Sequence, residues 1–254
     1  MNGFMLALQF FTSIPIRKEL PMERKDVTAM YISLPIVGGL IGIAMYGVAV
    51  LFTDVIGTGS LLASVFVVVA GIALTGGLHL DGFADMGDAF FSYRDKEKRL
   101  EILDDPRIGA FGAMALFLLI IVKIALLEEL IHRSEGLLPY FIAVPLLARA
   151  GMNVYFSTTR LAKEKGIAHF FKGKLATMEL MVWSVIKAIA VAVVLGFVLH
   201  SIIVPVVLLI VVCAAVFLFR SWSMKHFGGV SGDLCGAFIE GTEALLWLAI
   251  IICI

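Results

Sequence analysis

About seven apolar runs, each long enough to cross a lipid bilayer, constrain this chain more than any other feature of its sequence. A transmembrane helix needs about 17–25 predominantly apolar residues, because its backbone must satisfy its own hydrogen bonds inside the hydrocarbon. The sequence therefore predicts an all-α, polytopic membrane bundle that forms one domain, 1–254. We place the spans at Ala29–Phe52, Leu61–Leu78, Ile108–Ile131, Leu137–Phe156, Met178–Leu199, Ile202–Phe219 and Ala237–Ile254.

The composition supports this class and excludes others. Of the 254 residues, 61% are hydrophobic and 16% are charged, whereas soluble proteins have about 25% charged residues. Twenty basic and twenty acidic side chains cancel, so there is no overall positive field to attract nucleic acid. The three cysteines, Cys213, Cys235 and Cys253, form no C-x-x-C pair and are predicted to be buried free thiols.

The N-terminal segment Asn2–Ile16 is apolar but short. It has no Lys or Arg before Arg17, so it lacks the basic start of a signal peptide. We expect an interfacial or re-entrant helix here.

Sixteen of the twenty Lys and Arg fall in four connections: before the first span and after the second, fourth and sixth. These connections lie on one side of the membrane if the number of spans is right. The positive-inside rule makes that side cytoplasmic. The sequence thus predicts a multi-pass protein of the cell inner membrane whose charged face, with the active site, opens to the cytoplasm.

Three aspartates follow the second apolar run at offsets of four and seven: Asp81, Asp85 and Asp88. On a helix these offsets place the carboxylates within an arc of roughly 60°, where like charges repel unless a cation joins them. Carboxylate oxygens are the ligands that Mg²⁺ prefers. We therefore predict that these three residues hold Mg²⁺; a solvated helix end is the alternative.

Two further clusters share the charged face. Arg94–Gly112 is predicted to form a charged amphipathic helix over Asp95–Leu103 that is ended by Asp104–Gly112; Pro106 and Gly109 stop this helix and begin the next, with Asp105 and Arg107 beside the turn. Gly228–Glu243 begins with glycines that can expose N–H groups to phosphate at a helix start. Three acidic residues then share one face of that helix: Asp233, Glu240 and Glu243.

A few charges lie inside the predicted spans. Arg149 should face a polar interior and pair with a carboxylate of these clusters, whereas Lys123 and Lys187 could snorkel or form structural pairs. His79 could orient a phosphate, serve as a base, or simply be an interfacial histidine.

Together these residues resemble the cobalamin synthase family, adenosylcobinamide-GDP ribazoletransferase. The matching segments run from end to end: Ala7–Pro15, Gly76–Asp88, Arg99–Ile102, Asp105–Gly109, the third inner loop with Glu164, Gly166, Gly173 and Lys174, and Gly228–Glu243. Three positions depart from the family pattern, with Pro106 where Ser is usual, Ser231 where Thr is usual and Leu234 where a hydroxyl residue is common.

The resemblance implies a Mg²⁺-dependent transferase of late cobalamin biosynthesis. Such an enzyme joins adenosylcobinamide-GDP to α-ribazole, or to its 5′-phosphate, and releases GMP. A homo-oligomer and contacts with other cobalamin-assembly enzymes are further expectations. The rival interpretations are a secondary transporter of an anionic or metal-bound solute and a lipid phosphotransferase; transporter sites, however, usually lie near the bilayer midplane in repeated halves.

The residues fall into predicted roles. Phosphoryl transfer depends on positioning, Mg²⁺ and cationic groups. Asp81, Asp85 and Asp88 are the predicted metal ligands and, with Asp233, the predicted catalytic residues. Those predicted to bind substrate are His79, Arg94, Asp105, Arg107, Arg149, Lys174, Gly228, Gly229, Ser231, Glu240 and Glu243. We also expect the Asp81 cluster and the Gly228–Glu243 segment to pack together around one cavity.

Overall fold

The structure is a computed structural model that describes residues 2–134 and 136–254. Within these residues it contains eleven α-helices and no β-strand, so the predicted all-α class is confirmed. A π-helical turn, Leu51–Val55, continues the second helix. The helices are Asn2–Phe11 (α1), Arg24–Val50 (α2), Ser60–Thr75 (α3), Leu78–Phe91 (α4), Lys96–Ile102 (α5), Ala110–Arg133 (α6), Leu138–Thr158 (α7), Ile167–Lys172 (α8), Thr177–Leu199 (α9), Ile203–His226 (α10) and Gly232–Cys253 (α11).

The chain is a multi-pass membrane protein. Among the described residues, five helices are long and apolar enough to cross a membrane: α2 with its π-helical turn, α6, α9, α10 and α11. The pair α3 and α4 is a sixth candidate, bent by 95° at its break. The predicted count of about seven is reached only when this bent pair and α7 are both included.

Helix α7 forms at the predicted position but lies in the centre of the bundle. It carries Arg149 and Asn153, and nearly its whole length is buried. Glycines of α2 allow the backbones to meet, since a Cβ at Gly42 would lie 1.8 Å from the Phe141 carbonyl oxygen. Such close contact between small residues is typical of helix packing in membranes. The polar residues of α7 are therefore shielded from lipid by their neighbours.

The second predicted span is shorter than expected, because the chain turns sharply after Thr75. Gly76 and Gly77 adopt left-handed conformations, with φ of +64° and +75°. Non-glycine residues rarely adopt this region. Helix α4 consequently departs from the direction of α3 and holds its aspartates at one end of the bundle.

At the N-terminus, the predicted short helix is present as α1, although it ends at Phe11 rather than Ile16. Leu6 and Ala7 are fully buried, and a Cβ at Gly3 would lie 2.4 Å from the Ala29 Cβ. Helix α1 therefore packs directly on α2. Its placement in the membrane interface stays a prediction.

The positively charged connections meet at one end of the bundle, as predicted. Asp104 pairs with Lys163, and Arg160 donates to the Gly228 carbonyl at 2.8 Å. The predicted amphipathic helix is confirmed as α5, Lys96–Ile102, and a segment that is mostly turns and irregular structure follows until α6 begins.

The cysteines are free, but their predicted burial is wrong for one of them. Cys213 is exposed on α10, while Cys235 and Cys253 are partly buried. Helix α10 is apolar around most of its circumference, so a small apolar residue such as cysteine is tolerated on its outer surface.

Candidate active site

The backbones of helices α4 and α11 are in contact, which brings the Asp81 cluster next to the Gly228–Glu243 segment. A Cβ at Gly82 would lie 2.6 Å from the Asp233 carbonyl oxygen, and one at Gly236 would lie 2.9 Å from that of His79. A side chain at either glycine would push the helices apart. The prediction that the Asp81 cluster packs against the Gly228–Glu243 segment is confirmed.

A cavity of about 390 Å³ opens beside this contact. Helices α1, α2, α4, α7, α8 and α11 contribute to its wall, together with the loops that follow α5 and α7. Its volume is in the range of small-molecule sites, roughly 300–1,000 Å³. Four of the predicted site residues line it: His79, Asp81, Ser231 and Asp233.

The carboxylates at this site form a negative cluster. Asp81 is exposed, whereas Asp85 and Asp233 are partly buried. The charges of Asp81, Asp233 and Asp88 all act on the Asp85 carboxyl. Within the described ranges, no three His, Cys, Asp or Glu side chains are arranged as a metal-binding group. The Mg²⁺ assignment therefore stays a prediction.

Asp88 has a specific structural partner. Its two oxygens accept the backbone N–H groups of Gly109, at 2.5 Å, and of Gly112, at 2.8 Å. These N–H groups lie at the start of α6, where an intrahelical acceptor is lacking and a negative charge is favourable. Asp88 thus caps α6 and fixes it against α4.

Two lysines that the sequence reasoning did not assign to the site lie in the cavity wall. Lys163 and Lys165 both pair with Asp104, at 2.5 Å and 3.4 Å. The hydrogen bond from Lys163 holds the pKa of Asp104 below its ordinary value. Both lysines flank Glu164, one of the positions that carry the family resemblance. This proximity is the feature of the sequence that could have assigned them to the site.

The glycine-rich segment before α11 forms a tight junction with the α7–α8 loop. Gly228 has φ of +82°, and a Cβ at Gly229 would lie 2.3 Å from the Arg160 carbonyl oxygen. Val230 exchanges backbone hydrogen bonds with Arg160 and Ala162. Gly228 therefore allows the turn, and Gly229 allows the two backbones to approach closely. In this segment the cavity wall begins at Val230.

Ser231 caps the N-terminus of α11. Its hydroxyl accepts the Leu234 N–H and donates to the Asp233 carboxylate, both at 3.2 Å. The side chain thus orients Asp233 at the edge of the cavity.

Three of the predicted substrate-binding residues, Arg149, Glu240 and Glu243, form a buried ion cluster with Lys123 and do not line the cavity. Arg149 donates to Glu243 at 2.8 Å, and Lys123 bridges Glu243, at 2.9 Å, and Glu240. The predicted pairing of Arg149 with a carboxylate is confirmed. Two positive and two negative charges compensate each other here, as charges inside a membrane bundle require.

The remaining predicted residues lie at the surface of the charged face. Arg107 forms a bidentate pair with Asp105, which holds the pKa of that carboxyl at about 2. Lys174 donates to the Met22 carbonyl at 3.0 Å, and Arg94 is exposed. None of these four residues lines the cavity.

His79 differs from the other polar residues of the wall. It is only 3% exposed, and among the described residues neither ring nitrogen has a hydrogen-bond partner. His79 lines the cavity, and the charges of Arg149, Glu243 and Lys123 in the buried ion cluster act on its imidazole.

Comparison with known sequences identifies the family. The sequence model of cobalamin-5-phosphate synthase matches residues 3–251. The chain belongs to this family. It is therefore a transferase of cobalamin biosynthesis, and membership decides for an enzyme against a transporter.

Curated relatives agree over almost the full length. Proteins named adenosylcobinamide-GDP ribazoletransferase are 38% identical in Geobacillus kaustophilus (97% of this chain, 94% of the relative), 34% in Clostridioides difficile (96% and 94%) and 31% in Klebsiella pneumoniae (99% and 100%). No solved structure matches the chain.

The structure gives a physical reason for one departure from the family pattern. Leu234 is fully buried and packs with Ala89, Leu103 and Phe227 in a small core beneath α4. This core supports the loop that carries Asp104. An apolar side chain at 234 therefore stabilises the cavity wall from behind rather than contacting substrate.

Proposed function

We propose that this member of the cobalamin-5-phosphate synthase family joins adenosylcobinamide-GDP to α-ribazole, or to its 5′-phosphate, and releases GMP. A ribose hydroxyl oxygen bonds to the phosphorus attached to the corrinoid. The bond between that phosphorus and its bridging oxygen breaks, and GMP leaves. The names of the curated relatives support this choice of substrates.

One observation carries the proposal at the level of residues. A single nucleoside-sized cavity brings Asp81 of α4 and Asp233 of α11 together with Lys163 and Lys165 of the α7–α8 loop. Phosphoryl transfer requires cations for the phosphate charge and an acceptor for the hydroxyl proton. Both kinds of group are present in this cavity.

The donor set at α4 fits Mg²⁺. This ion is usually held by one or two carboxylates plus substrate phosphates, rather than by a cage made entirely of protein. We propose Asp81 and Asp85 as its ligands, since their oxygens belong to a negative cluster that a cation would neutralise. Bound Mg²⁺ would offset the charge that develops on the transferring phosphate. Asp88 was predicted as a third ligand; we propose that its main task is to hold α6 in place.

The proton acceptor is best supplied by Asp233. Asp105 and Glu240 also carry carboxylates, but Asp105 is paired with Arg107 at the surface and Glu240 lies in the buried ion cluster. Asp233 lines the cavity and receives a hydrogen bond from Ser231, which fixes its carboxylate. We assign it the proton of the attacking hydroxyl.

We propose that Lys163 and Lys165 bind the substrate phosphates, a role that the sequence predicted for Arg94, Arg107 and Arg149. Both ammonium groups lie in the cavity wall, where they can neutralise phosphate oxygens. In the structure both lysines pair with the single carboxylate of Asp104, so an incoming phosphate would compete with that carboxylate.

A reconstituted assay tests the function. Purified protein in lipid, given adenosylcobinamide-GDP, α-ribazole and Mg²⁺, should release one GMP for each corrinoid joined, and chelation of Mg²⁺ should stop the release. GMP formed without α-ribazole, or no GMP at all from a folded protein, would contradict the proposal.

We further propose that the cavity opens to the cytoplasm. Sixteen of the twenty Lys and Arg lie in the predicted inner connections, and the positive-inside rule orients the chain accordingly. A cysteine at Lys98 on α5 should resist a membrane-impermeant maleimide in intact cells, whereas one at His200 should react. The unsubstituted chain, with its three free cysteines, gives the background. Labelling at Lys98 in intact cells would reverse the orientation.

A further inference from the structure

Part of the cavity wall is a continuous group of aromatic rings. Neighbouring ring centroids lie 5.3–5.8 Å apart, and four different helices contribute. We call this group the aromatic wall; it consists of Phe10 and Phe11 of α1, Tyr31 of α2, Phe156 of α7 and Phe171 of α8.

The rings of the aromatic wall differ in how much surface they leave uncovered. Tyr31, Phe156 and Phe171 are at least nine-tenths buried by their neighbours. Phe10 and Phe11 are only partly buried. These two rings at the end of α1 therefore have free surface for a ligand to cover.

The same cavity has a charged part formed by Asp81, Asp104, Lys163, Lys165 and Asp233. A ligand that satisfies both parts needs a planar apolar group joined to a hydroxyl- or phosphate-bearing group. A nucleoside with an apolar base has this construction. The cavity volume of about 390 Å³ suits a molecule of that size, whereas a corrinoid is far larger.

We propose that the aromatic wall is the subsite for the base of the nucleoside substrate, with Phe10 and Phe11 stacking on its plane. This rests on the proposed function, which supplies α-ribazole and its apolar benzimidazole base as the ligand. The ribose then extends toward Asp233 and the lysines, and the corrinoid approaches from outside the cavity. A polar base such as adenine would bury its exocyclic amine against the phenyl rings of Phe10 and Phe11, which offer no hydrogen bond.

The test compares two Michaelis constants in the same variants. Phe11→Ala and Phe10→Ala should each raise KM for α-ribazole about tenfold or more, since stacking on an aromatic ring contributes that much per base. The KM for adenosylcobinamide-GDP should stay within about twofold, because the corrinoid does not enter the cavity. The preference for α-ribazole over the α-riboside of adenine should fall in both variants.

Phe4→Ala is the matched control. Phe4 lies on the same helix and packs against the main core, but it does not line the cavity. It should leave the α-ribazole KM unchanged even if α1 is loosened. If an alanine variant does not accumulate in the membrane, Phe11→Leu keeps an apolar side chain and removes only the ring, with the same expected change in KM.

Direct binding of α-ribazole by calorimetry separates the two proposals. Ribazole binding that weakens in Phe11→Ala supports the subsite even if no GMP is released, in which case only the proposed function fails. Normal GMP release with an unchanged α-ribazole KM in both α1 variants overturns the subsite. So does an equal rise in both Michaelis constants, or the same effect from Phe4→Ala.

Discussion

Replacing Asp81 with alanine should reduce GMP release at least about 100-fold, because the proposed Mg²⁺ ligand would be lost and with it several kcal/mol of charge stabilisation on the transferring phosphate. The fold should persist. Asp81 is exposed to the cavity and, in the described part of the chain, its side chain has no hydrogen bond or ion pair to lose. Removing one of several like charges also relieves repulsion on Asp85. Turnover over a Mg²⁺ titration, with the thermal unfolding of the same sample, checks both statements.

Two other variants make this result specific. Glu97→Ala removes an exposed carboxylate from α5 and should change neither turnover nor stability. Asp88→Ala should lower stability as well as turnover, because it leaves the N–H groups of Gly109 and Gly112 without their acceptor. Near-normal turnover of Asp81→Ala at low Mg²⁺ would contradict the proposed role of Asp81 as a Mg²⁺ ligand.

Replacing Arg149 with methionine should destabilise the protein by about 3–5 kcal/mol, the usual effect of breaking a buried ion pair from one side. Arg149 is 2% exposed, and its loss leaves Glu240 and Glu243 to share the single charge of Lys123. For a chain of this length the loss corresponds to a decrease in Tm on the order of 10 °C. Unfolding in detergent, followed by intrinsic fluorescence, measures it.

The double variant Arg149→Met, Glu243→Gln should recover much of that stability, since it removes both members of the pair. Lys187→Met is the control: this lysine also lies within a predicted span, but its ammonium group lies 5.3 Å from the Trp183 ring centroid rather than beside an acid in the described structure. It should change Tm little. An Arg149→Met variant as stable as the parent, or a double variant no better than the single one, would mean that the buried ion cluster does not stabilise the bundle.

The sequence was informative wherever local periodicity or chemistry decides the outcome. Apolar runs placed every long helix, and the offsets of Asp81, Asp85 and Asp88 put three carboxylates on one face of α4. The motifs also indicated the family, which is confirmed by the match of the family's sequence model to residues 3–251.

Residue type alone could not show which polar residues line the cavity and which form ion pairs inside the bundle. Glu240, Glu243 and Arg149 looked like substrate ligands because acidic and basic groups in a membrane are rare and often functional. In the structure Glu240 and Glu243 pair with Lys123, which lies more than a hundred residues away in sequence, and Glu243 also pairs with Arg149. Which charges meet depends on how α6, α7 and α11 pack.

The sequence by itself determined the all-α membrane class, the charged face and the family, because these follow from hydropathy, charge position and local motifs. Only the tertiary structure decided that α7 lies in the centre of the bundle and that α4 turns by 95° after Gly76 and Gly77. It also decided which side chains form the cavity. Lys163, Lys165 and the rings of α1 reach it through helix packing and loop contacts between distant segments, and no local pattern in a sequence records such contacts.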